Sequence, residues 1–135
     1  MIVRSMKVML VEDDEFTRST LKAALENRGF ENVFDTARVS EALEYAKGSE
    51  IDIAVLDYNL GKGPDGIDLA NELRKIQPTV AIILLTAFVD PSQLEMRLAE
   101  LPSGSRIVIK NSVNKIDILV EEIKKAIEEM KKGLS

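Results

Sequence analysis

The sequence contains no cysteine and no histidine among its 135 residues, and these absences exclude several kinds of functional site. A chain without cysteine forms no disulfides and no thiolate metal sites. A chain without histidine forms no imidazole zinc site and no Ser-His or Cys-His catalytic pair, and it holds no phosphohistidine. A metal site in this protein therefore needs oxygen ligands.

Long hydrophobic runs and an excess of positive charge are missing as well. No apolar segment approaches the roughly 20 residues that cross a bilayer, and residues 1–7 lack the apolar stretch of a signal peptide. Lysine and arginine number 18 against 23 acidic residues, so the formal net charge is -5, and no basic stripe has interleaved aromatics. We therefore expect a cytoplasmic protein that binds neither membranes nor nucleic acid.

Apolar runs typical of buried strands alternate with helical patterns along the whole chain. Predicted strands cover residues 7–11, 33–37, 51–56, 80–85 and 106–109. Predicted helices cover residues 16–28, 40–46 and 65–76, begin again at Asp90-Pro91, and end with residues 116–130. This alternation predicts an α/β fold, a doubly wound (βα)5 domain whose five-stranded parallel sheet has helices on both faces.

Polar side chains with possible chemistry follow four of these strands. Asp13 and Asp14 follow the first strand, Asp57 the third, Thr86 the fourth and Lys110 the fifth. Ligands of such sheets bind at the carboxyl ends of the strands. Two carboxylates about 4 Å apart repel by roughly 4 kcal/mol at an effective dielectric near 20. The acids therefore predict a hard divalent cation with oxygen ligands, or a shared proton.

These residues belong to four short motifs whose order and spacing match a known family. The motifs are Val11-Glu12-Asp13-Asp14, Asp57-Tyr58-Asn59-Leu60, Leu85-Thr86-Ala87 and Ile109-Lys110. Together they resemble the signature sites of bacterial response regulator receiver domains over essentially the whole chain. The resemblance implies strand order 2-1-3-4-5 and a single receiver domain over residues 1–135, with its core at about 6–131. It also implies a phosphoacceptor of a two-component or phosphorelay pathway.

The resemblance further implies a role for each polar residue. Asp57 would be the nucleophile that accepts a phosphoryl group from a phosphohistidine. Lys110 and the Thr86 hydroxyl would contact its oxygens.

The metal implied by the resemblance is Mg²⁺, with Mn²⁺ as an alternative. Asp14 and Asp57 would bind it directly together with the backbone carbonyl of Asn59, and Asp13 would act mostly through bound water. Mg²⁺ suits such a site because it keeps several waters and uses one or two carboxylates plus phosphate oxygens.

The partners implied are a cognate histidine kinase or histidine phosphotransfer protein, and an output protein. The output protein would bind the face formed by the fourth predicted helix, the fifth strand and the fifth helix. The last helix ends near Met130, so we expect no effector domain in this chain. We also expect no enzymatic activity beyond self-directed phosphotransfer and autodephosphorylation.

Several alternatives remain open at this stage. Ile107 stands where the family usually has an aromatic switch residue, so a phosphorylation-independent interaction module on the same fold is one alternative. Phe88 could substitute for the missing aromatic residue. A Mg²⁺-dependent phosphohydrolase with an aspartyl phosphate is a weaker one, because the segment after Asp57 lacks the second aspartate of that class. Asp13 and Asp14 could also cap the helix that begins near Phe16.

Overall fold

The structure, a computed structural model, describes residues 3–87, 97–110 and 115–133. These residues form one five-stranded sheet in the order β2-β1-β3-β4-β5, and every neighbouring pair is parallel. The strands are β1 (Lys7–Val11), β2 (Asn32–Thr36), β3 (Ile53–Asp57), β4 (Ala81–Thr86) and β5 (Arg106–Ile109). The predicted α/β fold and its strand order are therefore confirmed.

Helices connect the strands and cover both faces of the sheet. A short 3-10 turn (Val3–Ser5) precedes β1, and the helices are α1 (Glu15–Asn27), α2 (Val39–Gly48), α3 (Gly66–Ile76) and α4 (Lys115–Lys132). The helix predicted to begin at Asp90-Pro91 starts outside the described residues, so α4 is the fifth predicted helix. Within the described ranges, no helix has the length and apolar character needed to cross a membrane.

Two apolar layers hold the helices against the sheet. Alternate residues of β1 enter different layers, because successive side chains of a strand point to opposite faces. Val8 and Leu10 pack in the layer that contains Leu119 and Ile123 of α4. Met9 and Val11 pack in the layer that contains the apolar residues of α2 and α3. β3 and β4 are buried along their whole length, as expected for central strands of a parallel sheet.

Parallel pairing brings the carboxyl ends of the central strands to one edge of the sheet. Val11 pairs with Leu56, and Asp57 pairs with Leu85. The residues at or just after the carboxyl ends of β1, β3, β4 and β5 therefore meet at this edge, where the sequence predicts the site.

Candidate functional site

Three carboxylates meet at the carboxyl edge of the sheet. Oxygen atoms of Glu12, Asp13 and Asp57 all lie within 4.8 Å of one another. Glu12 and Asp57 are buried, with 1% and 4% of their surface exposed, whereas Asp13 is exposed. They open into a cavity of about 590 Å³ that also includes the predicted site residues Asp14, Asn59, Thr86 and Lys110. The structure thus brings all the predicted site residues together around one cavity.

Lys110 bridges the two buried carboxylates. Its Nζ lies 2.7 Å from Glu12 Oε2 and 3.0 Å from Asp57 Oδ2. Its backbone N–H donates to the carbonyl of Thr86 at 2.8 Å, which attaches the end of β5 to the end of β4. Burial lowers the pKa of Lys110, but its bonds to Glu12 and Asp57 outweigh burial and raise the pKa overall. The lysine therefore stays charged between the two acids.

Glu12 is the member of the site to which the sequence analysis gave no role. Burial is the largest cause that raises its pKa, and Asp57 adds to it while Lys110 opposes it, which leaves the pKa of Glu12 at about 7. Its backbone N–H donates to the carbonyl of Thr36 at 3.1 Å, so the β1–β2 ladder continues through it. The available signal was its position as the first of several consecutive acids after a buried strand.

Asp14 lines the same cavity, but its carboxylate is engaged in a helix cap. Its carboxylate caps α1, because Oδ2 accepts hydrogen bonds from the backbone N of Thr17 at 2.8 Å and from Thr17 Oγ1 at 2.6 Å. These bonds lower the pKa of Asp14. The capping alternative thus describes Asp14, and the carboxylate next to Asp57 is that of Asp13, not Asp14. The structure therefore favours Asp13 over Asp14 as the principal acid of the β1–α1 turn.

Hydrogen bonds on both sides hold the chain around Asp57. The backbone N of Tyr58 donates to the carbonyl of Leu85 at 2.7 Å, and the backbone N of Gly66 donates to the carbonyl of Tyr58 at 2.9 Å. The backbone N of Asn59 donates to Asp57 Oδ1 at 3.3 Å. One oxygen of Asp57 thus contacts Asn59 and the other contacts Lys110, so the carboxylate has a defined orientation.

The donor set suits a hard divalent cation. Glu12, Asp13 and Asp57 offer only carboxylate oxygens, which are the ligands that Mg²⁺ and Mn²⁺ accept. Burial, the largest cause, and repulsion from Asp57 together raise the pKa of Glu12 although Lys110 lies between the two acids. A further positive charge at the cavity would relieve this repulsion, so the residues fit the metal.

Comparison with known proteins identifies the family. The family model described as the response regulator receiver domain matches residues 8–104 of this chain. A cyclic di-GMP phosphodiesterase from Thermotoga maritima is 30% identical over 109 residues, which are 81% of this chain and 28% of that protein. The aerobic respiration control protein ArcA from Escherichia coli is 37% identical over 79 residues, which are 58% of this chain and 32% of that protein.

A solved structure shows the same fold. The response regulator receiver domain protein (CheY-like) from Methanospirillum hungatei matches with a TM-score of 0.79 and 23% identity, over 96% of this chain and 99% of that one. The chain spans well under half of the length of the two curated relatives. This chain belongs to the response regulator receiver domain family and is a phosphoacceptor of two-component signalling.

The predicted output face is described only in part. Ile107 and Ile109 of the edge strand β5 are exposed by 39% and 46%. Ile107 is the position at which the family usually has an aromatic residue, and Phe88, the predicted substitute, lies outside the described residues. The part of this face that β5 contributes therefore exposes two isoleucines and no aromatic side chain.

Proposed function

We propose that Asp57 is the phosphoacceptor and that a phosphohistidine of a histidine kinase or phosphotransfer protein is the donor. A carboxylate oxygen of Asp57 attacks the phosphorus atom, and an acyl phosphate forms as the phosphorus–nitrogen bond breaks. The imidazole nitrogen leaves with the bonding electron pair. The observation that supports Asp57 is its buried, oriented carboxylate at the cavity, in contact with both Lys110 and the Asn59 amide. Asp13 is exposed and Glu12 has a raised pKa, so both are weaker candidates.

The surrounding residues can stabilise the charge on the transferred group. Lys110 Nζ is already within 3.0 Å of Asp57 Oδ2, so it can bind a phosphoryl oxygen added there. Thr86 lines the same cavity, and its hydroxyl is the donor that we assign to a second phosphoryl oxygen. The acquired group would add about -1.5 to -2 charges, so these contacts would be charge-assisted.

A divalent cation belongs to the same proposal. We assign Asp13, Asp57 and the Asn59 carbonyl as the groups that would hold Mg²⁺ or Mn²⁺, with Glu12 as a neighbouring acid, and Asp14 as the helix cap. Bound there, the ion would supply positive charge that reduces the repulsion between the carboxylate and the phosphoryl oxygens.

The remaining parts of the proposal concern activity, partners and location. We assign the chain no activity beyond phosphotransfer to itself and autodephosphorylation. The kinase and the output protein are proposed by class only, and the output protein is assigned to the face that includes β5 and α4. A cytoplasmic location completes the proposal, since two-component kinases meet their receivers there.

Phosphorylation of Asp57 can be tested by intact-mass spectrometry after incubation with acetyl phosphate and Mg²⁺. We expect the wild type to gain one phosphoryl group and Asp57→Asn to gain none. Asp52→Asn is the matched control, because Asp52 lies before the opposite end of β3, where it accepts a hydrogen bond from the backbone N of Lys7 at 2.8 Å. It should be phosphorylated like the wild type. An unmodified wild type that also fails to bind Mg²⁺ would favour the phosphorylation-independent interaction module.

The assignment of Asp13 in place of Asp14 gives a second prediction. Asp13→Asn should weaken Mg²⁺ binding at least about tenfold, because it removes a charged oxygen ligand. Asp14→Ser should change the affinity less than about twofold, since serine also caps helices. The clustered carboxylates of Glu12, Asp13 and Asp57 are unchanged in this variant. Mg²⁺ titration of both variants by ¹H–¹⁵N NMR measures the affinities. Weaker binding in Asp14→Ser than in Asp13→Asn would restore the assignment made from the sequence.

A further inference from the structure

Arg18 lies on α1 and connects two strands next to the site. Its Nε donates to Asp35 Oδ2 at 3.1 Å, and its Nη1 donates to the backbone carbonyl of Glu12 at 2.9 Å. Asp35 belongs to β2, whereas Glu12 follows the end of β1. The Arg18 side chain is 18% exposed, so the bridge is largely shielded from water. Arg18 does not line the phosphoacceptor cavity, and its guanidinium is committed to these two partners.

The hydrogen bond from Arg18 to the Glu12 carbonyl holds the peptide unit between two residues of the acid cluster. This carbonyl belongs to the planar peptide unit that joins Glu12 to Asp13, so its direction sets the orientation of the whole unit. On the other side of Glu12, the backbone N–H donates to Thr36 at 3.1 Å. The backbone of Glu12 is thus held from both sides. Two of the three clustered carboxylates project from the residues that this peptide unit joins.

We propose that Arg18 is a positioning residue of the metal site. Through its bridge between Asp35 and the Glu12 carbonyl, it sets the orientation of the Glu12–Asp13 peptide and hence the spacing of the carboxylates that would hold Mg²⁺. The inference rests on the proposed function, because it assigns Arg18 to the metal site of that proposal. Residues that orient metal ligands from outside the coordination sphere typically change metal affinity by about 10- to 100-fold when they are mutated.

The geometry of the bridge requires arginine. A guanidinium has several donors in a rigid planar arrangement and can bond the Asp35 carboxylate and the Glu12 carbonyl at the same time, whereas a lysine ammonium is a flexible point charge. The neighbouring Lys22 provides a comparison within the chain. Its Nζ lies 3.0 Å from Asp35 Oδ1, so it neutralises the same acid from the same helix. Lys22 therefore shares the charge of Arg18 and its contact with Asp35, and it is the matched control.

The test is a MgCl₂ titration of the whole chain by ¹H–¹⁵N NMR, with Arg18→Met, Arg18→Lys and Lys22→Met as variants. We expect the dissociation constant for Mg²⁺ to rise about tenfold in Arg18→Met. Arg18→Lys should recover less than half of this loss on a logarithmic scale, because it restores the charge without the bridge. Lys22→Met should stay within about twofold of the wild type, since it loses one charge and keeps the Arg18 bridge. An affinity loss in Lys22→Met equal to that in Arg18→Met would refute positioning in favour of general charge.

A second measurement separates positioning from damage to the fold. Phosphorylation of Arg18→Met by acetyl phosphate should be slow at low Mg²⁺ and return to within about twofold of the wild-type rate at saturating Mg²⁺, because only occupancy of the ion is impaired. A defect that persists at saturation would overturn the proposal. If Arg18→Met does not fold, Arg18→Lys decides alone, and wild-type affinity in that variant would overturn it too. If the wild type itself bound no Mg²⁺, the proposed function would fail, which is distinct from a wild type that binds while Arg18→Met binds equally well.

Discussion

Gly66→Ala is expected to destabilise the protein by about 3 kcal/mol, at the upper end of the usual range for overpacking. A Cβ atom at Gly66 would lie 2.3 Å from the carbonyl oxygen of Asp57, 2.9 Å from its carbonyl carbon and 3.0 Å from Leu84 Cδ1. Two of these three atoms belong to the backbone, so the clash cannot be relieved by a side-chain rotation. The start of α3 must move away from the end of β3 instead.

The hydrogen bonds around Gly66 resist that movement. The backbone N of Gly66 donates to Tyr58, and the backbone N of Tyr58 donates to Leu85. Moving α3 would break the first bond or disturb the second, which belongs to the chain directly after Asp57. We therefore expect Gly66→Ala to impair phosphorylation as well as folding.

Urea unfolding in EDTA measures the effect of Gly66→Ala on stability, with Gly48→Ala as the matched control. Gly48 is the last residue of α2, and nothing lies within 4 Å of the position its Cβ would occupy. Alanine there should be neutral or stabilising by up to about 1 kcal/mol, because it reduces the conformational freedom of the unfolded chain. Equal stability of the two variants would show that the close approach of α3 to Asp57 is not a constraint.

The sheet could be predicted from the sequence because its signal is local. Buried runs such as residues 80–85 need only their own apolar composition to be recognised as strands, and alternation with helices then implies parallel pairing. Exact ends were less predictable. The fourth predicted strand ends at Leu85, whereas β4 extends to Thr86. Strand ends depend on hydrogen bonds to neighbouring strands, and those partners are distant in sequence.

The site could be predicted as a group of residues but not in its internal assignments. Asp57 and Lys110 lie at or next to the carboxyl ends of parallel strands, so their meeting at one edge follows from topology even where a strand end is off by one residue. The acids after β1 differ by one position each, and a local pattern does not show which one caps α1. Only the bonds from Thr17 assign Asp14 to the cap. The contact between Arg18 and Glu12 was equally hidden, because it involves a backbone carbonyl and not a side chain.

Lys110→Met is expected to cost about 2 to 3 kcal/mol of stability in metal-free protein at alkaline pH. Lys110 Nζ is within 3.0 Å of both buried carboxylates, at 2.7 Å from Glu12 and 3.0 Å from Asp57. Removing one partner of a buried ion pair typically costs about 3–5 kcal/mol, because the other charge is left without compensation. The cost expected for Lys110→Met is below this typical range because the Lys110 side chain is 19% exposed and water can partly replace it.

The loss in Lys110→Met should depend on pH, and the direction follows from Glu12. The pKa of Glu12 is about 7 in the folded protein, above its ordinary value of 4.5. Such a group contributes stability that is fully present below its unfolded pKa and is lost as the pH rises through its folded pKa. Lys110 lowers the pKa of Glu12, so removing Lys110 raises that pKa further. The stability lost on ionisation of Glu12 then continues to be lost up to a higher pH. Lys110→Met should therefore be closest to the wild type near pH 5 and furthest from it above about pH 8.

Urea unfolding in EDTA between about pH 5 and pH 9 measures this difference. Lys75→Met is the control, because Lys75 forms an exposed pair with Glu72 at 3.1 Å. This substitution should cost less than about 1 kcal/mol of stability at every pH. A loss in Lys110→Met that is the same at every pH would mean that packing of the lysine stem, and not its charge, stabilises this edge. Two results together would show that this end of the sheet is short of positive charge. The loss in Lys110→Met would grow with pH, and added Mg²⁺ would stabilise this variant more than it stabilises the wild type. Such a shortage would be the physical reason for a cation to bind beside Asp57.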